Sequence, residues 1–214
     1  MTGLILKDII NLKKYIKQLG LVLVAFTFIG ISLKSPSYII FMMILFTTMM
    51  TVTSMAYDES TKWDKYALTM PISRKDLAKS KYVLLVIFAL SGGIISLILG
   101  FIISKVTGVG DYKELLLTSG SVSLVSLVLV GILLPIIFKL GTEKARIIML
   151  IIFILPTILI TGFSKLIRLF KGLSIPQPTE EQIRYLCYAS PFIVLLILFI
   201  SYRLSVGILN KKDF

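Results

Sequence analysis

Histidine is absent from the 214 residues, and cysteine occurs once, at Cys187. The first absence removes the commonest metal ligand and the commonest acid–base group at neutral pH. The second excludes an intrachain disulfide and a metal site built on thiolates. Charge is sparse, at 16% of residues, and acid is sparser still, with 11 Asp and Glu against 23 Lys and Arg. The chain has no G-x-x-x-x-G-K-[ST] motif, so it does not bind ATP through a phosphate loop of its own.

What the sequence does have is apolar length. It is 57% hydrophobic, with a mean hydropathy of +0.95. Crossing ~30 Å of hydrocarbon takes about 20 helical residues, and several such runs follow one another. They fall at about 19–33, 38–57, 82–104, 115–138, 147–164 and 188–209. The expected fold is an all-α polytopic membrane protein, one transmembrane domain over 1–214. Pro36 turns the chain after the first run, Gly141 stops the fourth, and Thr142 is the expected N-cap of the fifth. The net charge of +12 sits at the ends of these runs, where lysines meet anionic headgroups. No basic stripe interleaves with aromatics, which excludes nucleic acid as a partner.

Lys and Arg in the connections set the orientation. With the N-terminus inside, the inner segments carry 16 of them and the outer segments 7, which predicts six spans with both termini cytoplasmic. Three segments outside the spans are amphipathic or charged. Over 1–18, Ile5, Ile9, Leu12, Ile16 and Leu19 form one face of a helix lying in the inner headgroup plane. Over 165–187 an outer segment begins with Phe163, Leu166, Ile167 and Phe170 on one face. Pro176 and Pro178 then break it. Residues 179–189 read either as a second outer helix, with Thr179 and Gln182 as its capping box, or as the start of one long helix kinked at Pro191.

The third segment, 58–81, holds ten charged residues and the only tryptophan, Trp63. Thr61 and Asp64 fit a capping box, and Trp63, Tyr66, Ala67 and Met70 share a helical face. Pro71 ends that helix, and Ser73 with Asp76 opens the next. Trp and Tyr also favour the membrane interface, but four carboxylates in the segment are repelled by an anionic leaflet. An aromatic anchor with a mixed-charge rim reads as a protein-docking surface.

Inside the spans, Arg203 is the one charge, and it can snorkel to the inner face. Intramembrane enzymes and ion-coupled carriers need buried titratable groups, so both classes are disfavoured. Gly92 and Gly93, and Ser119, Gly120, Ser123, Ser126 and Gly131, predict close helix packing. Met42, Met43, Met49 and Met50, interleaved with Thr47 and Thr51, line either a path for an amphipathic peptide or ordinary packing.

The opening "MTGLILKD…LKK" and "YDESTKWDKYALTMPISRKDLAKSKY" after the second run resemble the ABC-2 type permease family. Within it, the likeness is to six-span subunits that export peptides such as phenol-soluble modulins or lantibiotics. The resemblance is tightest over about the first 85 residues. It implies pairing with a second permease copy or a sister permease. It also implies a separate ATPase subunit that holds ATP and Mg²⁺. Asp58, Glu59, Trp63, Asp64, Tyr66, Pro71, Ile72 and Arg74 then occupy the position of the ATPase-docking coupling helix, and 1–18 that of the interface helix. No catalytic, cofactor or metal residue is expected in this chain. The competing expectation is a non-transporting scaffold, such as an immunity or sensor-associated protein, that uses the same loop to hold a partner.

Overall fold

A computed structural model describes residues 2–151, 154 and 180–212. Among them every regular element is helical. α1 spans Thr2–Leu12, a 3₁₀ turn follows over Lys13–Tyr15, and α2 spans Ile16–Ser32. α3 is Pro36–Ser60, α4 Trp63–Ala67, α5 Arg74–Thr107 and α6 Tyr112–Leu140. α7 opens at 142 and is described to 151, and α8 is Glu180–Lys211.

Four helices are long and apolar enough to cross a bilayer: Pro36–Ser60, Arg74–Thr107, Tyr112–Leu140 and Tyr188–Lys211. A fifth forms if Thr2–Tyr15 and Gly20–Ser32, bent by 65°, count as one span. Most of the expected run at 147–164 lies outside the described residues, as does the outer segment through 179. Of the two arrangements open for 179–189, one continuous α8 with Pro191 inside it is observed.

The boundaries follow from local chemistry. Ser35 is extended and Pro36 takes the first turn of α3, where its missing N–H costs no bond. Ser73 and Asp76 form the expected capping box at the start of α5. At 34 residues α5 runs about 51 Å, well beyond ~30 Å of hydrocarbon, so one end projects from the apolar band. Gly141, at φ 83°, stops α6. Thr142 does not cap α7 as expected. Its backbone N–H and its hydroxyl both donate to Glu59 Oε2, at 2.6 and 2.5 Å. A carboxylate from the end of α3 therefore supplies the negative partner that a helix N-terminus favours.

α3 packs along α5 and α6, and α8 covers α6 and α5. One core cluster centres on Leu85, Val130, Leu134 and Leu209, and another on Ile39, Ile40, Ile44 and Ile103. Small residues let the backbones approach. A Cβ on Gly92 would collide with the Thr47 side chain on α3, and one on Gly131 would lie 2.6 Å from Leu198 on α8. Ser119 Oγ donates to Gly93 O at 3.5 Å. Gly120 differs from its expected role, because its Cβ position is open. A relay of hydroxyls also crosses the bundle: Tyr82 Oη meets Ser201 Oγ at 2.7 Å and Ser205 Oγ at 2.8 Å, and Ser201 donates to Gly131 O.

Gly92→Val is expected to lower folding stability by about 1–3 kcal/mol through overpacking. Gly120→Ala, in open space, is expected to be neutral or slightly stabilising. Thermal unfolding of the detergent-solubilised variants checks the contrast.

Candidate functional site

Where α1, α3 and α5 meet, two buried acids and a buried lysine are joined by a second, partly exposed lysine. Lys81 on α5 is 6% exposed, Asp58 near the end of α3 is 4%, and Asp8 on α1 is 1%. Lys81 Nζ donates to Asp8 Oδ2 at 2.8 Å, to Asp58 Oδ2 at 2.5 Å and to Ser54 Oγ at 2.9 Å. An ammonium has three donors, and all three are used. Lys7 Nζ closes the group, 2.6 Å from Asp58 Oδ1 and 3.0 Å from Asp8 Oδ1. The contact with Asp8 Oδ1 is an ion pair without hydrogen-bond geometry. Two positive charges thus balance two negative ones. Losing one member strands a buried charge, which is the costly event for such a group.

Lys7 also joins this quartet to α4, its ammonium standing 4.5 Å from the centroid of the Trp63 ring. Trp63 packs on a small cluster of Leu4, Ala67 and Leu77, joined by Leu68 and Ile72. Its Nε1 is shielded and has no acceptor among the described residues. The helix here is shorter than expected, five residues, with Lys62 in a left-handed conformation at its N-cap. The expected Thr61–Asp64 capping box does not form. The Thr61 hydroxyl bonds back to Tyr57 O and Asp58 O instead.

The expected common face of Trp63, Tyr66, Ala67 and Met70 is therefore divided. Trp63 and Ala67 turn inward, while Tyr66 is 58% exposed and Met70 36%. The Tyr66 ring leans on Trp63, centroids 5.5 Å apart. Pro71 is exposed beside them and Ile72 half-buried. Arg74 reaches across to α8, its Nη1 donating to Leu209 O at 2.7 Å and Asn210 O at 2.8 Å. A cation at the last carbonyls of a helix complements its dipole.

Asp64 is half-buried. Desolvation first, and then the negative charge of Asp58, hold its carboxyl above the usual carboxylate range, against the pull of Lys212, Lys81 and Lys7. Of the eight residues expected to face a partner, Tyr66, Pro71 and Glu59 are exposed, Glu59 while bonded to Thr142. Asp58, Trp63 and Ile72 hold the segment from within, and Glu59 and Arg74 tie it to α7 and α8.

A family model described as ABC-2 family transporter protein matches residues 3–210. The chain belongs to the ABC-2 transporter family. No curated protein and no solved structure gives a match. Members of this family are the membrane-spanning components of ABC transporters, and membership implies an ABC ATPase as partner.

In this ABC-2 permease the methionine and threonine residues of α3 do not share one face. Met43 is buried among Ile39, Ile40 and Ile44. Thr47 Oγ1 donates to Met43 O and Ile44 O in its own helix. Thr51 Oγ1 is buried without a partner. Met42 and Met50 are half-buried. Met49 lines a cavity of about 370 Å³ between α3, α6 and α7, with Thr53, Ile137 and Arg146 around it.

Sequence reasoning missed Asp8 and Lys81. The face of α1 turned to the protein is Leu4, Asp8 and Leu12, whereas Ile9 is 43% exposed and Ile10 56%. The signal was present, since an acid stands between two leucines at four-residue spacing on one helical stripe.

Lys81→Met strands a buried negative charge and is expected to cost about 3–5 kcal/mol. Adding Asp8→Asn restores the balance and should recover part of that loss, measured as a double-mutant cycle by thermal unfolding. Asp64→Asn tests the raised carboxyl. A folded-state pKa above the unfolded one penalises the wild type at neutral pH, and the penalty vanishes as pH falls below both values. The variant should therefore melt higher than wild type at pH 7, with the difference closing towards pH 4.

Proposed function

We propose that this permease is the transmembrane half of an ABC exporter that moves an amphipathic or hydrophobic peptide out of the cell. Six helices cross the cell membrane with both termini cytoplasmic, as the 16-to-7 bias of Lys and Arg favours. Two permeases pair, and each meets an ATPase subunit at the α3–α5 connection. α4 is the coupling helix.

The observation that carries this reading is the exposed Tyr66, Met70 and Pro71 surface seated on Trp63, which in turn rests on the charge-balanced quartet. Aromatic residues on a rigid base are what concentrates binding energy at a protein interface. The docking segment works in two tiers. Tyr66 and Pro71 meet the ATPase, while Asp58, Glu59, Trp63, Asp64, Ile72 and Arg74 transmit its movement to α1, α3, α7 and α8. Because Asp58 and Lys81 belong to membrane-spanning helices, a push on α4 reaches the spans without passing through a flexible loop.

α1 is the interface helix, its quartet face against the protein and Leu6, Ile9 and Ile10 turned outward to lipid. For the peptide, the Met49 side of α3 offers the adaptable surface. A methionine beside a cavity re-packs around varied apolar side chains, and Arg146 and Thr142 at its rim supply polar contacts for an amphipathic cargo.

Co-purification from native membranes tests the reading, with an ATPase expected at about one copy per permease. Tyr66→Ala should weaken ATPase binding by about tenfold or more, the scale of an aromatic anchor, while the permease still inserts and folds. Unchanged ATPase affinity in Tyr66→Ala and Met70→Ser together would contradict the docking surface.

A further inference from the structure

A second site lies where α6 and α8 end. Lys139 on α6, Arg203 and Lys211 on α8, and Lys212 just after it line a pocket of about 660 Å³, within the range of roughly 300–1,000 Å³ typical of small-ligand sites. Among the described residues no carboxylate lines it. Lys212 Nζ donates to Phe138 O at 3.2 Å, which places its charge against the end of α6.

The rest of the wall is apolar. Arg203, Gly207 and Lys211 follow one another at four-residue spacing and share one stripe of α8, with Leu204 and Ile208 beside it. Gly207 leaves that stripe open, since nothing lies within 4 Å of where its Cβ would be. Leu204 is exposed on a helix apolar enough to cross the bilayer. The pocket therefore has a cationic mouth and a greasy side wall.

Arg203 shows what it lacks. It stands eight residues before Lys211, about 12 Å deeper along the helix axis, on an exposed position of α8. Its guanidinium has the Phe199 ring 5.8 Å away, and no described residue gives it a carboxylate. A cation there is costly in hydrocarbon unless it snorkels to the inner face or an anion comes to it. A soluble protein docking from water reaches Lys211 but not a group set down among lipid-facing side chains. A membrane amphiphile with a phosphate reaches both.

We propose that the α6–α8 pocket binds an anionic phospholipid, its phosphate among Lys139, Lys211 and Arg203 and an acyl chain along Leu204, Gly207 and Ile208. Basic pockets between the ends of spanning helices are suited to such headgroups. This holds whatever the exported cargo is, and it adds a lipid requirement to the permease that the docking surface does not supply.

The test is native mass spectrometry of the full-length permease in mild detergent, titrated with phosphatidylglycerol or with phosphatidylcholine of the same chains. Wild type is expected to retain phosphatidylglycerol in preference by about tenfold. The triple variant Lys139→Gln, Arg203→Gln, Lys211→Gln should lose that preference. The equally charged control Lys65→Gln, Lys75→Gln, Lys79→Gln should keep it. Gly207→Leu, whose Cβ meets nothing within 4 Å, puts a side chain on the open wall and should weaken retention with all charges in place. The proposal is overturned if wild type shows no preference, if the preference survives the triple variant, or if the control loses it equally. It is also overturned if the triple variant releases the ATPase while lipid retention is unchanged, because the pocket would then be a protein-docking surface.

Discussion

Four charges with nowhere to go set the terms for one end of this molecule. Asp8, Asp58 and Lys81 come from three helices and close on one another away from water, with Lys7 at the edge of the group. Replacing such a group by apolar side chains often leaves stability unchanged or raises it, so its value lies in geometry. A balanced quartet is satisfied in one arrangement only. If α1 slides or α3 turns, a carboxylate or an ammonium loses its partner in a low-dielectric site, where that loss is expensive. The three helices are consequently bound to move together, and α4, held through Lys7 and Trp63, moves with them.

The same logic of satisfied polar groups runs through the spans. With no water in hydrocarbon, a hydroxyl gains from a partner inside the protein, and among the described residues Thr51 Oγ1 is the buried exception. Thr47 and Thr48 bond to carbonyls of their own helix, and Tyr82, Ser201 and Ser205 bond to one another across α5 and α8. Close approach at Gly92 and Gly131 makes such bonds possible by letting backbones come near. Arg74 on the carbonyls of α8 and Glu59 at the start of α7 extend this to the connections. The α3–α5 connection and its flanks are thereby tied to three other helices, α1, α7 and α8.

Much of this was legible in the sequence where the signal is local. The apolar runs at 38–57, 82–104, 115–138 and 188–209, the Pro36 and Gly141 boundaries and the Ser73–Asp76 capping box each depend on a few neighbouring residues, and each appears in the structure. The small residues of α5 and α6 also read correctly, apart from Gly120, which faces open space. What failed was orientation about an axis. Over 58–81 the pattern placed Trp63, Tyr66, Ala67 and Met70 on one surface, but α4 is too short to carry four positions, and burial of Trp63 against Leu4 and Leu77 decided the rotation. For α1 the isoleucine stripe was read as a membrane face and no protein-facing stripe was read at all, because its partner is the Lys81 ammonium, 73 residues away from Asp8. Asp58 looked like part of a charged rim for the same reason. Its partners lie at both ends of a long sequence interval, and no window of spacing contains them.

The central claim is that α4 and α1 form one rigid unit through the quartet. It is tested most directly by electron paramagnetic resonance distances between labels at the exposed positions Lys13 and Lys65 in a Cys187→Ser background. One narrow distance, unchanged when ATPase and nucleotide are added and broadened by Lys81→Met, is the result this account predicts. A broad or multi-peaked distribution in the unaltered quartet would contradict it, since α4 would then move independently of the helices it is held to drive.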